Sequence, residues 1–119
     1  MNGIAVVLPT RGRPQILDRF IKSMLNTALS PLLIKFYLYV DDDDKSTIDY
    51  VTTTPIPLGT VLIGPRIRMS EMANQLFPYV TEDIIFCGGD DLIMRTQGWD
   101  KVIIDFFSCL LYTSDAADE

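Results

Sequence analysis

The amino-acid sequence predicts an α/β protein with three layers (α/β/α), in which a mainly parallel sheet lies between helices on both of its faces. Short apolar runs rich in β-branched residues, which are typical of strands buried on both sides, alternate with segments whose apolar residues recur at helical spacing. The chain has 119 residues and is 48% hydrophobic, which is enough apolar material for one packed core. We therefore expect a single small domain.

The first half of the chain contains two predicted strands and two predicted helices. A continuous apolar run at residues 4–8 predicts the first strand. The apolar residues of 16–28 recur at helical spacing, and Pro14 suits the first turn because that turn does not use its backbone donor. A second apolar run at 34–40 predicts the second strand, and residues 45–53 predict a short helix that ends before two prolines.

The second half repeats this alternation of strand and helix. Residues 61–63 predict a third strand, and the spacing of apolar residues over 69–77 predicts a third helix. The run at 83–87 predicts a fourth strand. Apolar residues over 99–107 predict a last helix, in which we expect Trp99 to pack against the core because large aromatic side chains are usually buried.

The final stretch of sequence, CLLYTSDAADE at residues 109–119, differs from the rest of the chain. Its back-translated codons are similar to the transposon end used in sequencing-library preparation, so we interpret it as a translated adapter. An ordinary acidic tail is the alternative. The interpretation predicts a domain at residues 1–108 that is incomplete at its C-terminus, in a parent protein that is longer.

Charge and composition argue against several classes of protein. A formal net charge of -6 disfavours a nucleic-acid partner, whose backbone requires a basic face. The chain contains no histidine, which excludes a Ser-His triad and His-ligated zinc, and Cys87 and Cys109 have neither metal-ligand nor disulfide-framework spacing. No apolar run approaches the roughly 20 residues of a membrane span, and no signal peptide is recognisable. We expect a cytoplasmic protein without a membrane segment.

Polar segments follow three of the four predicted strands. They are PTRGRP at 9–14, DDDDKS at 41–46 and GGDDLI at 88–93. In parallel α/β sheets, ligands bind beyond the carboxyl ends of the strands, where loops and helix N-termini meet. The sequence therefore predicts that one ligand site is built from these three loops.

Two of these loops carry residue types that suit a phosphate and a metal ion. Asp90 and Asp91 follow two glycines, and adjacent carboxylates supply hard oxygen ligands for Mg²⁺ or Mn²⁺, with a bound diphosphate completing the shell. A Gly-Asp turn that caps the next segment is the alternative. Arg11 and Arg13 precede a helix N-terminus, where they could neutralise phosphate oxygens, and a solvated basic loop is the alternative.

Two further groups of charges belong to the same predicted edge. Arg66 and Arg68 precede the third helix and either face the same anion or lie exposed on the surface. Asp41 closes the second strand and is the best placed of four consecutive aspartates to accept a hydrogen bond from a ligand. We expect the other three, at 42–44, to cap the following turn or to point into water.

Four segments together resemble a known family. VVLPTRGRP, YVDDDD, RMSEMANQLF and EDIIFCGGDDLIMRTQGWD follow one another in the order and at the approximate spacing found in GT-A fold glycosyltransferases. Over residues 4–107 the chain resembles the Rossmann-like nucleotide-sugar-binding half of such an enzyme, and is similar to the inverting family-two type and to short phage-like members. The resemblance implies a nucleotide-diphosphate sugar donor, most simply UDP-linked, a divalent cation (Mn²⁺ or Mg²⁺) and an acceptor that the sequence does not identify.

The resemblance also assigns the nucleoside end of the site. It implies that Pro9, Thr10 and Arg11 line the nucleoside pocket and that Asp41 hydrogen-bonds the base. In the resembled family the carboxylate that acts as general base follows the DxD-type segment at some distance along the chain. That residue is missing here, so we expect this chain to bind nucleotide weakly and to transfer little or no sugar.

At the other end of the site the resemblance implies contacts to the diphosphate and the metal. Arg13 and Arg68 would meet the base or the diphosphate. Asp90 and Asp91 stand at the DxD-type motif, with Asp91 as the metal ligand and Asp90 directed to the ribose or the metal. Leu92 occupies the position of the third carboxylate, which is a departure from the family pattern that bears on metal dependence.

Two other classes of protein remain open at the level of sequence. A nucleotidyltransferase also combines an α/β sheet, a metal and carboxylates, but it should carry a glycine-rich basic signature after the first strand, which TRGRP matches poorly. A non-catalytic nucleotide-binding module would bind UDP as the enzyme does. Only turnover by the complete protein distinguishes that module from a transferase.

Overall fold

The computed structural model describes residues 3–117, with side chains described as far as Cys109. The four strands are β1 (Ile4–Thr10), β2 (Ile34–Asp41), β3 (Leu58–Gly64) and β4 (Ile84–Cys87). The four α-helices are α1 (Pro14–Thr27), α2 (Lys45–Thr53), α3 (Met69–Leu76) and α4 (Trp99–Ala117). All paired strands are parallel, in the order β3-β2-β1-β4. The predicted three-layer α/β/α fold is confirmed.

The two faces of the sheet bury different side chains. Ile4, Val6 and Leu8 of β1 pack into a core cluster with α1, α2 and the start of α4. Ala5 and Val7, which alternate with them along the strand, pack against α3 on the opposite face. Because both faces are covered, β1 consists almost wholly of apolar residues, as the sequence predicts for a doubly buried strand.

Helix α1 packs on the sheet through one apolar face. Its buried residues Leu17, Phe20, Ile21 and Met24 are three or four positions apart and so share the face that meets the sheet. Full burial of such a side chain contributes about 1.5–3 kcal/mol, so this face holds the helix in place. Pro14 occupies the first turn, where its missing donor costs nothing.

Trp99 is buried, as predicted, and ties α4 to α1. Its indole Nε1 donates a hydrogen bond to the carbonyl oxygen of Met24 at 2.9 Å. The next residue, Asp100, accepts hydrogen bonds from the backbone N–H groups of Leu29 and Ser30, each at 2.9 Å. Burial disfavours the charge on Asp100, but these backbone donors outweigh it and lower the pKa of the carboxyl group.

Three strands are longer than the sequence predicts, β2 by the single residue Asp41 and β1 and β3 by more. β1 continues through Pro9 to Thr10, because β4 pairs with it only as far as Val7 and the missing donor of Pro9 is tolerated where one neighbouring strand has ended. β3 extends the predicted 61–63 to seven residues, since it follows the length of β2. Gly59 is needed in it because any Cβ there would overlap the Tyr37 ring.

Helix α4 also passes its predicted end at residue 107 and continues to Ala117. The backbone of residues 109–117, interpreted from the sequence as adapter-encoded, therefore extends this helix, while residues 118 and 119 lie outside the described part of the chain. The division at residue 108 stays a prediction. Between residues 3 and 117, none of the helices combines the length and the apolar character that crossing a bilayer demands.

Candidate functional site

A cleft of about 530 Å³ opens at the carboxyl edge of the sheet. It collects all eight residues that the sequence singles out for nucleotide or metal binding. These are Pro9, Thr10, Arg11, Arg13, Asp41, Arg68, Asp90 and Asp91. The loops after β1, β3 and β4 and the end of β2 thus meet at one place, where Thr10 and Asp90 are hydrogen-bonded although they are 80 positions apart along the chain.

The topology of the sheet explains the position of the cleft. Helices α1 and α2 pack on one face and lead from β1 to β2 and then to β3. The connection through α3 crosses the opposite face and returns to β4 on the other side of β1. Neighbouring connections therefore diverge at the end of β1 and leave a crevice there, which is where open α/β sheets bind ligands.

Asp90 joins the first loop to the fourth strand from inside the cleft. Its side chain is buried, its Oδ2 accepts a hydrogen bond from Thr10 Oγ1 at 3.0 Å, and its Oδ1 accepts one from Arg13 Nη2 at 2.6 Å. Both carboxylate oxygens thus already have donors. In this arrangement Asp90 orients Thr10 and Arg13, and a metal ion at Asp90 would have to share its oxygens with them.

Arg11 lies between two carboxylates of the acidic run. Its Nη1 is 2.5 Å from Asp41 Oδ2 and 2.9 Å from Asp43 Oδ1, and its Nη2 is 3.4 Å from Asp43 Oδ2. Hydrogen bonds to Asp43 and then to Asp41 raise the pKa of the Arg11 guanidinium, so it is charged at every physiological pH. Arg11 in turn lowers the pKa of Asp43. The expectation that Asp43 caps a turn or only meets water is therefore incomplete.

Asp44 has the capping role that the sequence predicts. As N-cap of α2, it accepts hydrogen bonds from the backbone N–H of Thr47 at 3.3 Å and from its hydroxyl at 2.7 Å. It also accepts one from the N–H of Gly12 at 2.5 Å, in a turn where Gly12 takes a positive φ of 63°. Burial opposes the charge on Asp44, but these donors together lower its pKa.

Asp41 lines the cleft and carries an unsatisfied acceptor. The residue is only 1% exposed, and Oδ1 is buried without a hydrogen-bond partner in the described part of the chain. Leaving such an oxygen unpaired costs about 1–3 kcal/mol, and more when the group is charged. Because a carboxylate oxygen only accepts, the missing partner is a donor, such as the N–H or O–H of a ligand.

The remaining wall of the cleft comes from the segment before α3. Arg66 and Arg68 are exposed, and Arg68 occupies the N-cap position of that helix. Among the described side chains, which end at residue 109, neither arginine forms an ion pair with a carboxylate. Met69 and Met72 add apolar surface to the same wall. This wall can meet an anionic group and an apolar group of one ligand.

The carboxylates alone form an incomplete metal site. Across the part of the chain that the structure describes, no three His, Cys, Asp or Glu side chains cluster in a way that could hold a metal ion. Asp91 is exposed and lines the cleft next to the engaged Asp90, and Leu92 offers no oxygen ligand. Any cation held here would take most of its ligands from a bound diphosphate and water.

Sequence reasoning missed two features of this cleft. It counted Met69 and Met72 only as helix-face residues, because helical spacing indicates burial without distinguishing a core from a cleft. It also left Asp43 without a partner, since its contact with Arg11 spans 32 positions and depends on how two loops meet. No local signal in the sequence identifies that pair.

Comparison of the chain with protein-family models, with curated proteins and with solved structures gives no match. The resemblance to GT-A glycosyltransferases accordingly depends on the four sequence segments and stays a prediction.

Proposed function

We propose that this chain is the nucleotide-sugar-binding part of a glycosyltransferase and that its cleft binds the nucleotide diphosphate of the donor. The observation that carries the proposal is the buried, unpartnered Oδ1 of Asp41 in a cleft that also holds arginines and a carboxylate pair. A ligand that satisfies this site combines a hydrogen-bond donor with a negatively charged group. A nucleoside diphosphate combines both.

The nucleoside would lie over the end of β2. Asp41 Oδ1 would accept the imide N–H of a uracil base, because an acceptor-only oxygen requires a donor and the imide supplies one. Pro9 and Met72 offer apolar contacts to a flat ring in the same cleft. UDP is therefore the nucleotide that we assign to the donor sugar.

The diphosphate would lie towards the loop after β4. Arg13 and Arg68 line the cleft with exposed side chains and would neutralise phosphate oxygens. Asp91, with Asp90 beside it, would hold a divalent cation that the diphosphate helps to coordinate. Mn²⁺ or Mg²⁺ bound there supplies compensation for the charge that develops on the leaving diphosphate.

An acceptor hydroxyl would then attack the anomeric carbon of the sugar. An inverting reaction needs a carboxylate general base on the acceptor side of the site, and we assign no residue of this chain to that role. We expect the chain by itself to bind UDP and to transfer little or no sugar. We propose the cytoplasm as its location, which agrees with the exposed free thiol of Cys87.

Titration of UDP with and without Mn²⁺ tests this assignment. We expect Mn²⁺ to strengthen UDP binding to the unmodified chain and to lose that effect in Asp91→Ala, because Asp91 would hold the metal and the diphosphate would supply further oxygen ligands. Asp49→Ala is the matched control, since Asp49 is an exposed aspartate on α2 that does not line the cleft. Absence of UDP binding, or equal Mn²⁺ enhancement in both variants, would count against the proposal.

A further inference from the structure

Arg11 forms ion pairs with one buried and one exposed carboxylate. Its partner Asp41 is buried, with only 2% of its side chain exposed, whereas Asp43 is 67% exposed and Arg11 itself is 44% exposed. Breaking the contact with Asp41 would leave a buried carboxylate without its cation, which is strongly unfavourable. The contact with Asp43 lies in water, where an ion pair contributes little and is readily exchanged.

Arg11 also lines the cleft in which we place the nucleotide. Asp43 occupies both of its terminal nitrogens, at 2.9 Å from Nη1 and 3.4 Å from Nη2. A phosphate group would use the same paired N–H donors, because guanidinium binds phosphate and carboxylate with the same two-pronged geometry. Asp43 and an anionic ligand therefore compete for one set of donors.

We propose that Asp43 is an internal competitor that occupies Arg11 in the absence of ligand and gives it up when a phosphate-bearing ligand enters the cleft. The loops stay joined meanwhile, because Asp44 keeps its hydrogen bond from the N–H of Gly12 and Asp41 keeps its contact with Arg11. Asp43 thus lowers the affinity of the cleft for anions. This inference takes the class of ligand from the proposed function. It adds Asp43 as a residue that sets the affinity of the cleft for that ligand.

Calorimetric titration at low ionic strength with inorganic diphosphate, and separately with UDP, tests this competition. We expect Asp43→Asn to bind both probes about two- to fivefold more tightly than the unmodified chain, which is the scale of an exposed ion pair. Asp42→Asn is the matched control. It removes the same charge from the adjacent exposed residue, which has no contact with Arg11 among the described residues.

A double-mutant cycle separates competition for Arg11 from a general change in charge. In an Arg11→Gln background we expect Asp43→Asn to give no more gain than Asp42→Asn does. The competition is overturned if Asp43→Asn and Asp42→Asn bind diphosphate equally, if the gain survives without Arg11, or if no variant binds either probe. If Asp43→Asn strengthens diphosphate binding but UDP binds no better than diphosphate, the competition stands and the nucleotide assignment fails.

Discussion

Four consecutive aspartates have four different environments in this protein. Asp41 ends β2 and carries a buried, unpartnered oxygen, Asp42 is exposed, Asp43 contacts Arg11, and Asp44 caps α2. Repulsion among like charges is offset where each carboxylate has a cation, backbone donors or water of its own. The side-chain surroundings, rather than the residue type, therefore decide what each aspartate can do.

Asp44 has a structural role that can be tested separately from the others. Replacing it with alanine removes the N-cap of α2 and leaves the N–H of Gly12 and the hydroxyl of Thr47 without their acceptor. We expect Asp44→Ala to lower the free energy of unfolding by about 2–3 kcal/mol, measured by urea denaturation. Asp42→Ala, in the same turn but exposed, should change it by less than about 0.5 kcal/mol. Equal effects of the two variants would contradict this role.

The sequence predicts which residues gather at the site, but it does not predict which of them contact each other. Position after a strand is a local property, and the end of each strand in a parallel sheet lies at the same edge, so residues such as Asp41 and Asp90 could be placed together. The partners of Arg11 and Arg13 could not, because an arginine in a loop can reach several carboxylates and the choice depends on tertiary packing.

Helices and strands were predictable to different degrees, for physical reasons. Helix α2 matches its predicted bounds of 45–53, since an aspartate cap and a following proline region mark both ends. The start of β3 was missed because Leu58 and Thr60 join the sheet through pairing with β2, while Gly59 lies between them without a partner on β2, and glycine is disfavoured in strands in general. Pairing with a neighbour therefore overrode local preference in that strand.

At the level of elements, Asp100 connects the start of α4 to the end of α1. Its lowered pKa means that its ionised form stabilises the fold above the unfolded value of about 3.9, and that this contribution is lost as the pH falls through the lower folded value. Asparagine keeps one acceptor oxygen and leaves one of the two backbone donors, Leu29 or Ser30, without an acceptor.

We therefore expect Asp100→Asn to destabilise the protein by about 1–3 kcal/mol at pH 7 and by less at pH 3, because pH 3 lies below the unfolded pKa of about 3.9 and the contribution of the charge has begun to fall there. Urea denaturation at the two pH values measures both differences. Asp105→Asn is the control, because Asp105 is exposed and pairs with Lys101 in the same helix. A difference for Asp100→Asn that is equal at pH 7 and pH 3 would rule out this contribution of the charge.

At the scale of the whole molecule, the strand order β3-β2-β1-β4 produces the cleft. The connections that follow β1 and β3 cross opposite faces of the sheet, so the loops that follow β1, β3 and β4 converge at one cleft. We propose that this convergence forms a nucleotide site. Because the site is built from several separate segments, a measurement that reports on many residues at once tests it best.

The most direct measurement is a titration of UDP into ¹⁵N-labelled protein, followed by amide chemical shifts. We predict that shifts change with ligand concentration in the loop of residues 10–13, at Asp41, along residues 66–69 and at 89–91, while the exposed face of α4 stays unchanged. If no chemical shift changes at any UDP concentration, or if the changes lie mainly outside the cleft, the cleft is not a site for UDP.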